Sequence, residues 1–295
     1  MTSDLARRLH QHVDRLAGLI GPRHFGKPDS IAAAITLIER EFAGMGDSVR
    51  REEYTLDTGQ TATNLIVERR GTTRPDEVVV LGAHYDTVPE TPGADDNASA
   101  VAVLLETARL LAGRGTRRTV RFVAFACEEP PHFYTQEMGS HVHAKGCRER
   151  GEKLVGMLCL EMVGYYSDAP GSQIAPMELP RWLAWWLPRR GNFLAAVGNL
   201  RSWRLCWAFR RGFKRASRLP LFSIVLPEWV YSIRLSDNSS FWDLGYPALM
   251  ITDTSFLRNR NYHRATDLPG TLDYDRMAAA TEGVAGAIAA LAGMA

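Results

Sequence analysis

Five short stretches of this sequence carry side chains that can bind a cation or move a proton. They are His84-Tyr85-Asp86, the run from Gly93 to Ser99 with Asp95, Asp96 and Asn97, the pair Glu128-Glu129, Glu161, and Asn261-Tyr262-His263. Each has an ordinary explanation alone. A single histidine at a strand end is usually a satisfied polar residue, Asp95-Asp96-Asn97 suits a helix N-cap, and Glu128-Glu129 suits a solvated strand end. Together they are harder to dismiss. Several carboxylates converging beside an apolar core repel one another and suffer desolvation unless cations compensate them. A divalent metal removes that conflict. Histidine nitrogen mixed with carboxylate oxygen, and no cysteine among the donors, suits zinc, with manganese or cobalt also compatible. The donors are numerous enough for two ions, as in two-metal hydrolytic sites.

The elements around these stretches explain how they could meet. Glu77–Ala83, Thr119–Cys127, Leu154–Leu160 and Tyr246–Thr252 hold short, nearly unbroken apolar runs, the pattern of strands covered on both faces. Ala98–Ala112 reads as a helix between the first two, and Tyr274–Ala292 as an alanine-rich closing helix. The candidate residues follow the strands, and in open α/β sheets ligands bind beyond the carboxyl ends of the strands. Val49–Leu56 and Thr63–Arg70, flanking Asp57-Thr58-Gly59, read as a hairpin that adds antiparallel strands. Upstream, Leu5, Leu9, Val13, Leu16 and Ile20 form one helical stripe. A second helix is expected over Ser30–Ala43, capped by Asp29 or Ser30 and closed by Gly44 in the left-handed conformation. The expected fold class is α/β: three layers, a mainly parallel mixed sheet with helices on both faces, and a single domain over residues 1–295.

The chain has 295 residues, 45% of them hydrophobic, enough for a full core, and its formal net charge of +2 says little about partners. Cys127, Cys147, Cys159 and Cys206 are too scattered for a disulfide framework and read as buried thiols. The N-terminus is charged through its first turns and lacks the apolar stretch of a signal peptide. No apolar run approaches the roughly 18–20 residues that span a bilayer. The expected location is cytoplasmic. His10, His12, His24, His132, His141 and His143 are expected to be exposed loop or helix residues.

HYD (His84–Asp86), GADDNASA (Gly93–Ala100), ACEE (Ala126–Glu129), LEM (Leu160–Met162) and YHRATD (Tyr262–Asp267) occur in that order. The ordered set resembles the signature series of the co-catalytic zinc exopeptidases. These include bacterial leucyl-type aminopeptidases, glutamate carboxypeptidase and, in a related branch, glutaminyl cyclases. The resemblance runs from about Asn64 to Asp273 and implies the zinc-exopeptidase, phosphorylase/hydrolase-like fold. Carried onto this chain, it implies that Asp96 bridges two zinc ions per subunit, with the Asp96–Asn97 peptide cis. His84 and Glu161 would complete one metal, Glu129 and His263 the other. Glu128 would be the general base and Asp86 the carboxylate that orients His84. The implied activity is hydrolysis of a terminal peptide or other amide bond, most like an aminopeptidase. The alternatives are a single-zinc cyclase-like aminoacyltransferase and a non-catalytic binding protein on the same scaffold. Three departures stand out: the loop Pro130–Glu137, Glu161 where well-known aminopeptidases have Asp, and Asn238 where many relatives have His.

One region stays outside this series. Between Glu178 and Glu228 there is no acid but ten bases, with Trp182, Trp185, Trp186, Trp203 and Trp207. Residues 170–235 are expected to form a cap over the active site. The basic, Trp-bearing part at 181–218 could touch a membrane surface, the less favoured reading, and no motif points to nucleic acid.

Overall fold

The computed structural model describes residues 3–180 and 184–294. The chain opens with α1 (Asp4–Val13), which continues as a wider π turn over Asp14–Ile20, and α2 (Pro28–Ala43). The hairpin follows as β1 (Val49–Thr55) and β2 (Thr61–Arg69). Next come β3 (Arg74–His84), α3 (Ala100–Leu110), β4 (Arg118–Phe125), α4 (Gly139–Glu149) and β5 (Lys153–Glu161). The last third holds β6 (Leu194–Asn199), α5 (Trp203–Ala216), β7 (Leu221–Leu226), α6 (Asn238–Asp243), β8 (Ala248–Thr252) and α7 (Tyr274–Ala292).

One sheet orders these strands β1-β2-β4-β3-β5-β8-β6-β7. Its centre, β4-β3-β5-β8, is parallel, while β1, β2 and the β6–β7 pair run against their inner neighbours. The apolar runs are continuous because both faces are covered. Val79 and Leu81 enter the core on the α1, α3 and α7 side, whereas Val78 and Val80 enter the core shared with Phe241 and Trp242 of α6. This is the three-layer α/β architecture expected. Since β3, β4, β5 and β8 are parallel, their carboxyl ends share one rim.

Several local expectations are corrected. Helix α2 starts at Pro28 with Lys27 before it, because proline suits the first helical turn. Gly44 is right-handed, and the left-handed turn residue is Gly46. His12, His132 and His143 are buried rather than exposed, each bonded to a carboxylate: Glu106, Glu137 and Glu52. The four cysteines are buried and free.

The segment 170–235 also divides differently from a cap. Leu194–Asn199 and Leu221–Leu226 extend the sheet, and α5 packs against α7. A cavity next to Glu161 is walled by Gln173, Leu179 and Leu187, by the loop near Ile233, and by the strands β6 and β7 themselves through Val197 and Ile224. Arg181 and Trp182 lie outside the described residues.

Candidate metal centre

The four parallel strands place the candidate side chains together. His84 ends β3, Glu128 and Glu129 follow β4 by three and four residues, and Glu161 ends β5. His263 reaches the same rim from the loop after β8. Asp96 sits in the turn before α3, at non-helical φ and ψ, and the Asp96–Asn97 peptide is cis. Cys127, Met162 and His263 adopt left-handed φ although none is glycine. Such conformations cost about 1–3 kcal/mol each and cluster where a fold is committed to a site.

Asp96 is the centre of the arrangement. Its Oδ1 lies 3.5 Å from His84 Nε2, and its Oδ2 lies 3.1 Å from His263 Nε2. Glu161 Oε2 is 3.3 Å from His84 Nε2, and Glu129 Oε2 is 3.4 Å from His263 Nε2. Glu128 Oε2 is 3.7 Å from His84 Nε2. Apart from His263, which is partly open, these residues are buried. The contacts are close but not aligned as hydrogen bonds. His84 Nε2, Asp96 Oδ1, Glu129 Oε1 and His263 Nε2 are left without a hydrogen-bond partner. Donor atoms of His84, Glu128 and Glu161, and of His84, Asp96 and Glu129, each lie within 4.8 Å of one another. Unpaired buried polar atoms aimed at one another are costly in protein alone and fit a divalent cation.

The acidity of the cluster states the same problem. Burial, then repulsion from Asp96, pushes the Glu129 carboxyl up to about 8. Burial, with the charges of Glu129 and Glu161, raises Glu128 well above the carboxylate range. Burial opposes charge on the His263 ring, yet Asp96 and Glu129 override it and lift the imidazole to about 10. Two imidazoles are too little positive charge for these acids.

The supporting contacts hold the loops rather than the donors alone. Asp86 accepts the amides of Glu128 (3.2 Å) and Glu129 (3.0 Å), and its carboxylate stands 3.5 Å from His84 Nδ1. The shorter contact of that nitrogen, 3.2 Å, is to the Asp86 carbonyl oxygen. Asp86 therefore ties the end of β4 to the His84 loop, besides facing the imidazole.

Other residues at the centre were not given roles from sequence. Asp267 accepts the amides of Asp95 and Asp96. The Asn97 side chain donates to Leu160 O and accepts from Met162 N, bracketing Glu161. Ser236 Oγ donates to Glu161 Oε2 at 2.7 Å. Asp237 is buried, its carboxyl is pushed up to about 7 by burial against the opposing pull of His84, and both its oxygens lack a partner. Asn238 donates to Ile233 O. Asp267 was legible only as the last residue of YHRATD, and Ser236, Asp237 and Asn238 only through the likeness of Ser236–Thr254 to the family's segment leading to the last histidine. Arg23 had no such signal. It is fully buried, and its guanidinium donates to the carbonyls of Leu16, Gly21, Tyr85, Pro92 and Gly93. It thereby pins the His84 and Asp96 loops to the first helices. Gly93 must be glycine here: φ is +63°, and a Cβ would stand 2.3 Å from Asp96 O.

Residues 64–288 match the family model described as peptidase family M28. The chain belongs to that family. M28 membership makes it a zinc-dependent peptidase, acting on peptides. The uncharacterized protein YfbL of Escherichia coli (strain K12) is 37% identical over 285 residues, covering 94% of this chain and 85% of that protein. Aminopeptidase YwaD of Bacillus subtilis (strain 168) is 41% identical over 73 residues, only 24% of this chain and 16% of that enzyme. Among solved structures, a zinc aminopeptidase from Bacillus subtilis superposes with a TM-score of 0.73 at 16% identity, over 96% of this chain and 94% of that one. The glutaminyl cyclase of Fimbriiglobus ruber reaches 0.67 at 21% identity, over 98% and 96%. Both likenesses concern the fold.

Proposed function

We propose that this M28 peptidase is an aminopeptidase that holds two zinc ions and uses Glu128 as its general base. The observation that carries this reading is the carboxylate of Asp96, whose two oxygens face two different imidazoles, His84 and His263. Glu161 accompanies the first and Glu129 the second. That symmetry suits a bridging ligand, with His84 and Glu161 completing one ion and Glu129 and His263 the other. Bound there, zinc supplies Lewis acidity to the scissile carbonyl and lowers the pKa of the attacking water.

The chain's own residues do the rest. Glu128, beside the donors but fixed by few contacts of its own, takes the proton of the attacking water and returns it to the leaving amine. Its backbone amide is held by Asp86, which sets the carboxylate's position. Beyond Glu161 and Tyr262 opens a cavity of about 110 Å³ lined by Leu179, Phe193, Val197, Phe222, Ile224 and Met250, among others. Glu161 is the one charged group among the described residues of its wall. A space of that order holds one small apolar group, so the residue preceding the cleaved bond is expected to be apolar.

Zinc quantification beside a substrate panel tests the proposal. Two zinc ions per chain, and turnover of leucyl and phenylalanyl nitroanilides that disappears on N-acetylation, are the expected results. One tightly held zinc with cyclisation of glutaminyl peptides would replace this reading with the cyclase-like one.

A further inference from the structure

The ten-base segment is not used by this chemistry, and its longest described element is α5. One face of that helix is fully committed to the fold. Leu205, Phe209 and Phe213 are buried, Gly212 stands against Ala287 of α7, and Phe213 covers Gly283. The opposite face is exposed from end to end. Trp203 and Trp207, one turn apart, are 55% and 58% accessible. Around them stand Arg204, Arg210, Arg211, Lys214 and Arg215, all exposed, with Arg201 and Arg218 just beyond the helix ends.

None of these seven bases forms an ion pair with a carboxylate among the described residues. The contrast with the rest of the chain is sharp. Arg69 grips Asp47, Arg118 grips Glu77, and Arg121 binds Glu68 and Glu152. The acids this face needs are therefore not supplied by the described residues. Two exposed indoles in the same place add an apolar surface that a solvated charge run does not require.

The partner must be anionic and must also accept indole rings. The Arg204 guanidinium lies over the Trp203 ring at 5.2 Å, and the Arg211 guanidinium over Trp207 at 5.4 Å. The indole faces are thus partly occupied by cations, which disfavours the stacking of bases that single-stranded nucleic acid uses. Indole edges beside guanidinium groups suit the headgroup layer of a bilayer, where tryptophan concentrates and anionic lipids attract arginine and lysine. No described helix is long and apolar enough to cross a membrane, so such contact is peripheral.

We propose that the outer face of α5 docks on an anionic lipid bilayer, with Trp203 and Trp207 entering the headgroup layer and the surrounding bases binding its acidic groups. The test uses the full chain and two vesicle preparations, pure phosphatidylcholine and an equal mixture of phosphatidylcholine with phosphatidylglycerol. Co-sedimentation with the mixed vesicles, weak binding to the neutral ones and release by salt are expected. The triple variant R204Q/R211Q/R215Q should partition roughly a hundredfold more weakly, at about fivefold per cation. W203A/W207A should lose the blue shift of emission seen when wild type meets mixed vesicles. These positions are exposed and distant in sequence from the metal centre, so melting temperature and hydrolysis of soluble substrates should stay at wild-type values. That separates this proposal from the proposed peptide specificity. Undiminished binding by the triple variant, or equal binding to both vesicles, would overturn it. So would displacement from mixed vesicles by a single-stranded oligonucleotide at lower concentration than by free phosphatidylglycerol vesicles, which would assign the face to nucleic acid.

Discussion

Two places in this molecule bury carboxylates beside histidines. Between α1 and α3, Glu106 is fully buried and receives Arg8 Nε at 2.7 Å, His12 Nε2 at 2.9 Å and Arg109 Nε at 3.1 Å. At the strand ends, Asp96, Glu128, Glu129 and Glu161 crowd two imidazoles and leave both Nε2 atoms without hydrogen-bond partners. Burial acts to raise the Glu106 carboxyl, yet the bonds from His12 and Arg8 overcome it and hold the group near 2. In the rim cluster burial and mutual repulsion win, and Glu128, Glu129 and Glu161 are raised. One acid is finished by the protein; the other group is complete only with a ligand. Unsatisfied buried charge, not burial of charge as such, marks the functional site.

Substitutions can break or sharpen this contrast. The largest effect is expected from Asp96→Ala, which removes the carboxylate facing both imidazoles. Zinc content should fall to background with activity following it, and elemental analysis showing full zinc would refute bridging. Glu128→Gln should keep its zinc and lose about 10²–10⁴-fold in kcat, the usual worth of a general base. It should not lower the melting temperature, because it deletes a repelling charge. Near wild-type kcat would remove Glu128 from its role.

The finished acid should respond oppositely. Glu106→Ala leaves Arg8, His12 and Arg109 without their shared partner, and a stability loss of about 3 kcal/mol by chemical denaturation is expected, with zinc content unchanged. The sign of the pH dependence follows from the depressed carboxyl. The stability Glu106 contributes is fully present above its ordinary value of 4.5 and is lost as pH falls through about 2. The gap in melting temperature between wild type and Glu106→Gln should therefore narrow over that window. A constant gap would mean that charge is not what Glu106 supplies. The smallest effect should come from Arg51→Ala. Its fork on Glu39, at 2.6 and 2.7 Å, lies at the surface, and such pairs are worth under about 1 kcal/mol.

How much of this was legible beforehand differs by element. The parallel centre was readable because Val78–Leu81 and Phe122–Cys127 are apolar at consecutive positions, the pattern of a strand covered on both faces. The donors were readable because each lies next to the end of such a strand or in an ordered motif. Strands β6 and β7 were not read. Their segment is dominated by arginine and tryptophan, and Leu194–Asn199 is short and rich in alanine and glycine. The buried histidines were also missed. His12, His132 and His143 each depend on a carboxylate remote in the chain or across a loop, and periodicity does not report such partners.

By itself, then, the order of residues determined the α/β class, the candidate cation-binding side chains and their delivery to one rim, since these follow from local patterning and strand ends. Only the tertiary structure decided that Asp96 turns its two oxygens to two imidazoles, and that Arg23 pins the loops from beneath. It also decided that the cations of the Trp-bearing helix meet no carboxylate among the described residues. Each of these depends on which distant groups meet, and a contact between residues far apart in the chain leaves no trace in the spacing of either one.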